Sequence, residues 1–259
     1  MRRAIRCALL ALEFLTVLRL RRAASYAGAD LGASLAWFPL VGLLIGGTML
    51  AADTSLAHVL TPAPRAALLA ALLVVLTGAL HLDGLADCAD GIFGGHTPER
   101  RLEIMRDSRS GSFGVVAIAL ALLLLLAAYA DAGNALHRAL LLVAPVLSRL
   151  AMVIAVALFP YARPAGLGRL YHEHARPWPL VLALVSGVVI VVALLGAGGA
   201  VLAALAAAVA LLFGRFATGR LGGLTGDVYG ATGMLVEIAV WYSALALGGR
   251  GWLTPSLGL

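Results

Sequence analysis

Lysine is absent from this chain, so all 19 basic residues are arginine and the formal net charge of +6 rests on guanidinium groups. Charge of either sign is scarce, at 12% of residues, and aromatics make up 7%. A nucleic-acid-binding domain concentrates basic residues on one face, and no separate basic domain stands out here. The basic balance points instead to cytoplasmic loops and anionic headgroups. The two cysteines, Cys7 and Cys88, form no metal-site spacing and no disulfide framework, so each reads as a small buried residue. No cleavable signal peptide is expected: Met1 to Leu18 is basic then apolar, but Glu13 interrupts it and no small-residue cleavage site follows.

What is present is hydrocarbon. The chain is 62% hydrophobic with a mean hydropathy of +0.99, and several runs approach the roughly 20 residues that cross a bilayer. The fold class is therefore all-α: a polytopic membrane helix bundle with about seven transmembrane helices plus an N-terminal interfacial helix. Residues 1–259 form a single integral membrane catalytic domain. The interfacial helix is the short run from Ala8 to Leu18, with arginines on both flanks. The spans predicted are Leu35–Ala52, Ala66–Leu80, Val115–Ala130, Arg138–Phe159, Leu180–Leu195, Ala200–Phe213 and Met234–Leu247. Gly42, Gly46 and Gly47 give the first span small residues for close helix packing. Asp53–Arg65 reads as a loop, and Gly196–Gly199 as a tight turn.

Orientation follows from the arginines. With the N-terminus in the cytoplasm, the inside segments are 1–34 and the polar loops 81–114, 160–179 and 214–232. Of the 19 arginines, 15 fall in those four segments, as the positive-inside rule requires. All three glycine-rich polar loops then lie on one side, where they can converge on one site.

The first of these loops is the densest. His81 to Gly114 reads HLDGLADCADGIFGGHTPERRLEIMRDSRSGSFG and holds six of the 13 acids and four of the 19 arginines. Asp83, Asp87 and Asp90 are spaced four and three apart, which puts them on one helical face. Three like charges on one stripe repel, and a hard divalent cation such as Mg²⁺ removes that penalty through oxygen ligands. A solvated acidic turn is the plainer alternative. Thr97-Pro98-Glu99 starts a short helix. Ser108-Arg109-Ser110-Gly111 then opens an apolar helix, where free N–H groups favour phosphate. Arg106 and Arg109 could add forked contacts, although a loop that only sets topology would also be arginine-rich.

The other loops are sparser. Arg163 and Arg169 flank Gly166-Leu167-Gly168 and suit a phosphate or substrate contact. His172 and His174 are two apart, which does not place both on one helix face and argues against zinc. Gly222 to Gly230 is a flexible loop in which Gly223 and Thr225 let backbone approach a ligand, with Asp227 as metal ligand or base. Glu237 falls inside the last span, and an intramembrane acid is functional by default and faces the bundle interior.

These motifs resemble a known family. HLDGLAD-x-x-DG, RRLEIMRDSR-x-G-x-x-G and LGGLTGD-x-x-GA are similar to cobalamin synthase, the membrane-bound adenosylcobinamide-GDP ribazoletransferases, and so are Phe14 to Arg19 and Trp37 to Gly46. The resemblance implies that a hydroxyl of α-ribazole, or of its 5′-phosphate, attacks the phosphate joining cobinamide to GMP, with Mg²⁺ as cofactor. It implies a multi-pass protein of a bacterial inner membrane with its active site on the cytoplasmic side. Its partners would be adenosylcobinamide-GDP, the riboside and the lipid bilayer, without nucleic acid, and a homo-oligomer is compatible with it. Asp83, Asp87, Asp90 and Asp107 would then be the catalytic and metal-binding set, with Asp107 as ligand or base. Arg106, Arg109, Ser110, Gly111, Arg163, Arg169, Gly223, Thr225 and Asp227 would contact substrate. A fainter similarity to CDP-alcohol phosphotransferases supports the same class of displacement. A prenyl transferase shares the aspartate–magnesium logic. A cation or substrate transporter is the rival from another class, but it predicts acids near mid-bilayer and inverted halves, whereas here the acids cluster at one surface and no such repeat is seen.

Overall fold

Scarce charge decides where these helices stop and what they pack against. The computed structural model describes residues 2–20, 27–107, 109–131, 135–248, 253 and 255. Ser108 of the predicted phosphate nest and Arg21, Arg22 and Arg250 of the orientation count lie outside the described residues.

Helix α1 (Arg2–Leu15) is 14 residues long, about 21 Å, and so too short to cross a bilayer. It buries Cys7, Leu10, Ala11 and Leu15 against α2 (Gly28–Ser34) and α3 (Phe38–Leu56), which a 3₁₀ turn joins. Arg3 and Arg6 grip the buried Asp30 at 3.0 and 2.6 Å. The interfacial helix is thus fastened to the bundle by ion pairs as well as by its apolar face.

The loop expected over Asp53–Arg65 shrinks to residues 57–61, between α3 and α4 (Pro62–Thr77). Asp53 can stay helical and buried because Arg65 pairs with it at 3.0 Å and His137 approaches it at 3.6 Å. The span expected from Ala66 through Leu80 is broken. Gly78 and Ala79 both adopt φ of 59°, and the chain turns through 88° into α5 (Leu80–Gly94). Ala79 in the left-handed region costs about 1 kcal/mol. The bend is secured from outside by the backbone N–H of Val17, which donates to the carbonyl of Leu76 at 2.9 Å.

Helices α6 (Pro98–Ile104) and α7 (Ser112–Ala130) follow, so most of the predicted 81–114 loop is helical. Helix α8 (Ala135–Leu158) runs through the centre, buried along nearly its whole length and packed on α3, α10 and α11. Gly42 and Gly46 meet the backbone of α8 at Pro145 and at Leu141–Leu142, whereas Gly47 faces open space.

Helix α9 (Leu167–His174) leads to α10 (Pro177–Leu221), which is 45 residues long. Gly196 (φ 59°, ψ −144°) interrupts it, and a Cβ on Gly199 would strike the carbonyl of Val191. A straight helix separates those positions by about 12 Å, so the chain doubles back at Gly196 as the predicted turn required. Helix α11 (Gly226–Gly248) begins eight residues before the predicted Met234, because Thr225 caps it.

Among the described residues five helices are long and apolar enough to cross a membrane, or six if the bent α4–α5 pair is one crossing. The sequence predicts about seven spans; the structure has five to six such helices, the longest of them interrupted at Gly196. In the bundle interior Arg149 of α8 and Glu237 of α11 pair at 3.0 Å, with His81 of α5 at 3.4 Å from Arg149. Glu237 faces inward, with the guanidinium as its counterion.

Candidate active site

Helix α5 carries its aspartates at three depths: Asp83 is exposed, Asp87 half-buried and Asp90 buried. The helix can sit this deep because Gly84 lets it touch α11. A Cβ there would lie 2.5 Å from the carbonyl of Asp227.

The three polar segments meet at this end of the bundle. Tyr161 and Leu224 form a parallel bridge, in which Ala162 donates to Leu224 at 2.8 Å and Leu224 to Pro160 at 2.7 Å. Gly223 is required there, since a Cβ would come within 2.9 Å of that backbone. Arg101 reaches from α6 to the carbonyl of Arg220 at 3.0 Å, and Arg163 to that of Met105 at 3.3 Å.

A cleft of about 260 Å³ opens where they join, with Asp83, Asp227, Arg163, Tyr161 and Gly230 in its wall. Arg163 pairs with Asp227 at 2.8 Å, and its buried Nε has no hydrogen-bond partner among the described residues. Thr225 donates to Asp227 at 3.1 Å, while the N–H of Val228 donates to Thr225 at 3.4 Å. Asp87 lies within electrostatic reach of Asp227, Asp83, Arg163 and Asp90. Burial pushes the Tyr161 phenol up, with Arg163 opposing it, so it stays a neutral hydroxyl at the cleft.

Asp90 and Gly111 have a different arrangement from the one expected. The Asp90 carboxylate accepts the N–H of Gly111 at 2.7 Å and that of Gly114 at 2.8 Å. The predicted phosphate nest at the start of α7 is therefore filled by a side chain of the protein. A Cβ on either glycine would collide with that carboxylate.

Asp107 stands apart from Asp83 and Asp87. It pairs with Arg109 at 2.7 Å, and those hydrogen bonds hold its carboxyl down at about 2. Both line a second hollow of about 260 Å³ with Asp90, Arg100, Glu103 and Phe113. Arg106 and Ser110 are exposed beside it. Arg169 turns to Glu173 at 2.6 Å and to the carbonyl of Pro164, away from the cleft. His172 and His174 each engage a separate carbonyl, Val156 and Leu170, both at 3.0 Å. Tyr161 and Arg101 are the residues that sequence reasoning passed over, and neither carries a motif that would single it out.

Among the described residues no three His, Cys, Asp or Glu side chains are drawn together closely enough to hold a metal ion. The acids at the cleft and beside it, Asp83, Asp227 and Asp87, nevertheless outnumber the one guanidinium of Arg163. That excess of oxygen charge suits a hard cation.

The family described as Cobalamin-5-phosphate synthase matches residues 7–245. An adenosylcobinamide-GDP ribazoletransferase of Pseudomonas paraeruginosa is 45% identical over 252 residues, 95% of this chain and 100% of that protein. Proteins of the same name from Syntrophobacter fumaroxidans and Roseiflexus sp. are 42% and 40% identical over 92% and 88% of this chain, covering 97% and 85% of theirs. No solved structure matches. With the match running almost from end to end, the chain belongs to the cobalamin-5-phosphate synthase family.

Proposed function

We propose that this protein transfers the adenosylcobinamide-phosphate group from adenosylcobinamide-GDP to a ribose hydroxyl of α-ribazole or its 5′-phosphate, releasing GMP. One observation carries this reading beyond the family match. Asp83, Arg163 and Asp227 come from the three separate polar segments and line one cleft at one end of the bundle, with Asp87 within electrostatic reach of all three.

Asp87 and Asp227 would hold Mg²⁺, which would supply charge neutralisation at the diphosphate oxygens. Arg163 keeps Asp227 in place and offers its unpartnered Nε–H to a phosphoryl oxygen. The acceptor hydroxyl forms the new O–P bond as the bond to GMP breaks, and its proton passes to Asp83, the exposed carboxylate of the stripe. Asp90 acts as a positioning residue, fixing the start of α7. Asp107 orients Arg109, and with Arg106 they meet the departing nucleotide phosphate. The arginine-rich end would face the cytoplasm of a bacterium, with the protein in its inner membrane.

Purified protein incubated with adenosylcobinamide-GDP, α-ribazole and Mg²⁺ should release GMP in step with the corrinoid product. Absence of GMP with both acceptor forms would overturn this function.

A further inference from the structure

The cleft has an annex that none of the predicted site residues enters. This second cavity, about 310 Å³, shares Phe14, Leu80 and Leu167 with the cleft and extends to Leu10, Leu31 and Tyr171. Its wall is hydrocarbon and aromatic. Phe14 and Tyr171 lie 4.8 Å apart by ring centroids, and Phe38 backs both at 5.9 and 6.0 Å. Its charged neighbours are Glu13, which accepts the N–H of Leu20 at 3.0 Å, and Arg19, which donates to the carbonyl of Glu13 at 2.6 Å. Its one guanidinium, Arg19, is turned to the carbonyls of Glu13 and Thr16, and its aromatic wall matches a flat apolar ring.

Taking the transfer reaction as given, we propose that this annex receives the dimethylbenzimidazole base of the acceptor riboside. A base stacked against Phe14 and Tyr171 leaves its ribose at the wall shared with the cleft, where Asp83 and Asp227 lie. The diphosphate donor, which needs charge, is left the other side of the carboxylate stripe, where Arg100 and Arg109 line the second hollow. Selectivity follows from desolvation. A purine carries ring nitrogens and an amine or carbonyl that would lose water against the hydrocarbon and aromatic part of this wall, whereas each methyl of the natural base gains from burial.

The test separates this site from the parent reaction. Binding of labelled α-ribazole is measured by equilibrium dialysis on the full protein in detergent, without donor and so without turnover. Leu167 is 45% exposed, so Leu167→Trp can fill the annex without disturbing a buried position, and Phe14→Leu removes the stacking ring. Both should weaken α-ribazole binding at least tenfold and raise its KM, leaving the KM for adenosylcobinamide-GDP within twofold. Ribosides lacking the methyls should bind roughly fourfold weaker per methyl, and an adenine riboside weaker still. Unchanged α-ribazole affinity in both variants, or a rise in the donor's KM alone, would overturn the assignment. Failure of the wild type to release GMP while still binding α-ribazole at this wall would sink the reaction and not the annex.

Discussion

Asp90 accepts the backbone N–H of Gly111 at 2.7 Å, joining the buried end of the acidic stripe to the first turn of α7. The same carboxylate takes Gly114 at 2.8 Å. The start of α7 is thereby shaped by an aspartate of α5. Asp90→Ala should lower stability by about 3 kcal/mol, as expected for removing a buried charged acceptor from two donors. Gly114→Ala should lower it by about 1–3 kcal/mol through overpacking. Thermal unfolding in detergent measures both, and wild-type midpoints would mean that the amides find other partners.

Asp83→Asn and Asp87→Asn should each reduce GMP release by at least about 100-fold, the scale of losing one charge-stabilising group. Helical content and expression should not change, because Asp83 is exposed and Asp87 half-buried. Circular dichroism beside the rate assay decides the matter. Near-normal turnover would remove these carboxylates from the chemistry.

Arg163 joins Asp227 at 2.8 Å and the carbonyl of Met105 at 3.3 Å. Arg163→Ala leaves Asp227 facing Asp83 and Asp87 without its guanidinium, and should cut kcat/KM on the order of 100-fold. Arg163→Lys keeps the charge but not the fork, so it should recover only part of the loss. Equal activity in both variants would show that charge alone is irrelevant at this position.

The Asp107 carboxyl is held at about 2 by Arg109. A depressed carboxyl contributes above its unfolded value, near about 4, and loses that contribution as pH falls through about 2. It therefore does not titrate between about pH 5 and 8. Asp107→Asn should change the height of the pH–rate profile but not the position of its limbs in that range. A displaced limb would show that Asp107 exchanges the reacting proton.

Gly196 holds φ 59° and ψ −144° at the reversal of α10, a region that side chains enter at a cost of about 1–3 kcal/mol. Gly196→Val should destabilise the protein by that amount. A cysteine at Ala197 should react with membrane-impermeant reagents only from the face opposite Asp83. Labelling from the same face would contradict the hairpin.

The residues themselves determined the class of protein and the place where its chemistry gathers. Hydrocarbon runs must be helical in lipid because no water is there to satisfy their backbone, and a stripe of aspartates at spacings of four and three shares a helix face wherever that helix goes. The apolar runs, the turn at Gly196, the inward Glu237 and the meeting of the three polar segments were legible for that reason. Tertiary structure decided what each charge does. Asp90 looked equivalent to Asp83 by type and spacing, and the family resemblance set Asp107 beside them. Yet Asp90 is spent on the amides of Gly111 and Gly114, and Asp107 on Arg109. Asp227, 137 residues further along the numbering than Asp90, faces Asp87 instead. The bend at Gly78–Ala79 and the survival of helix at Asp53 depended on Val17 and Arg65, partners remote in the chain. Hydrogen bonds and ion pairs between distant segments have no period in sequence, so only the folded backbone could assign them.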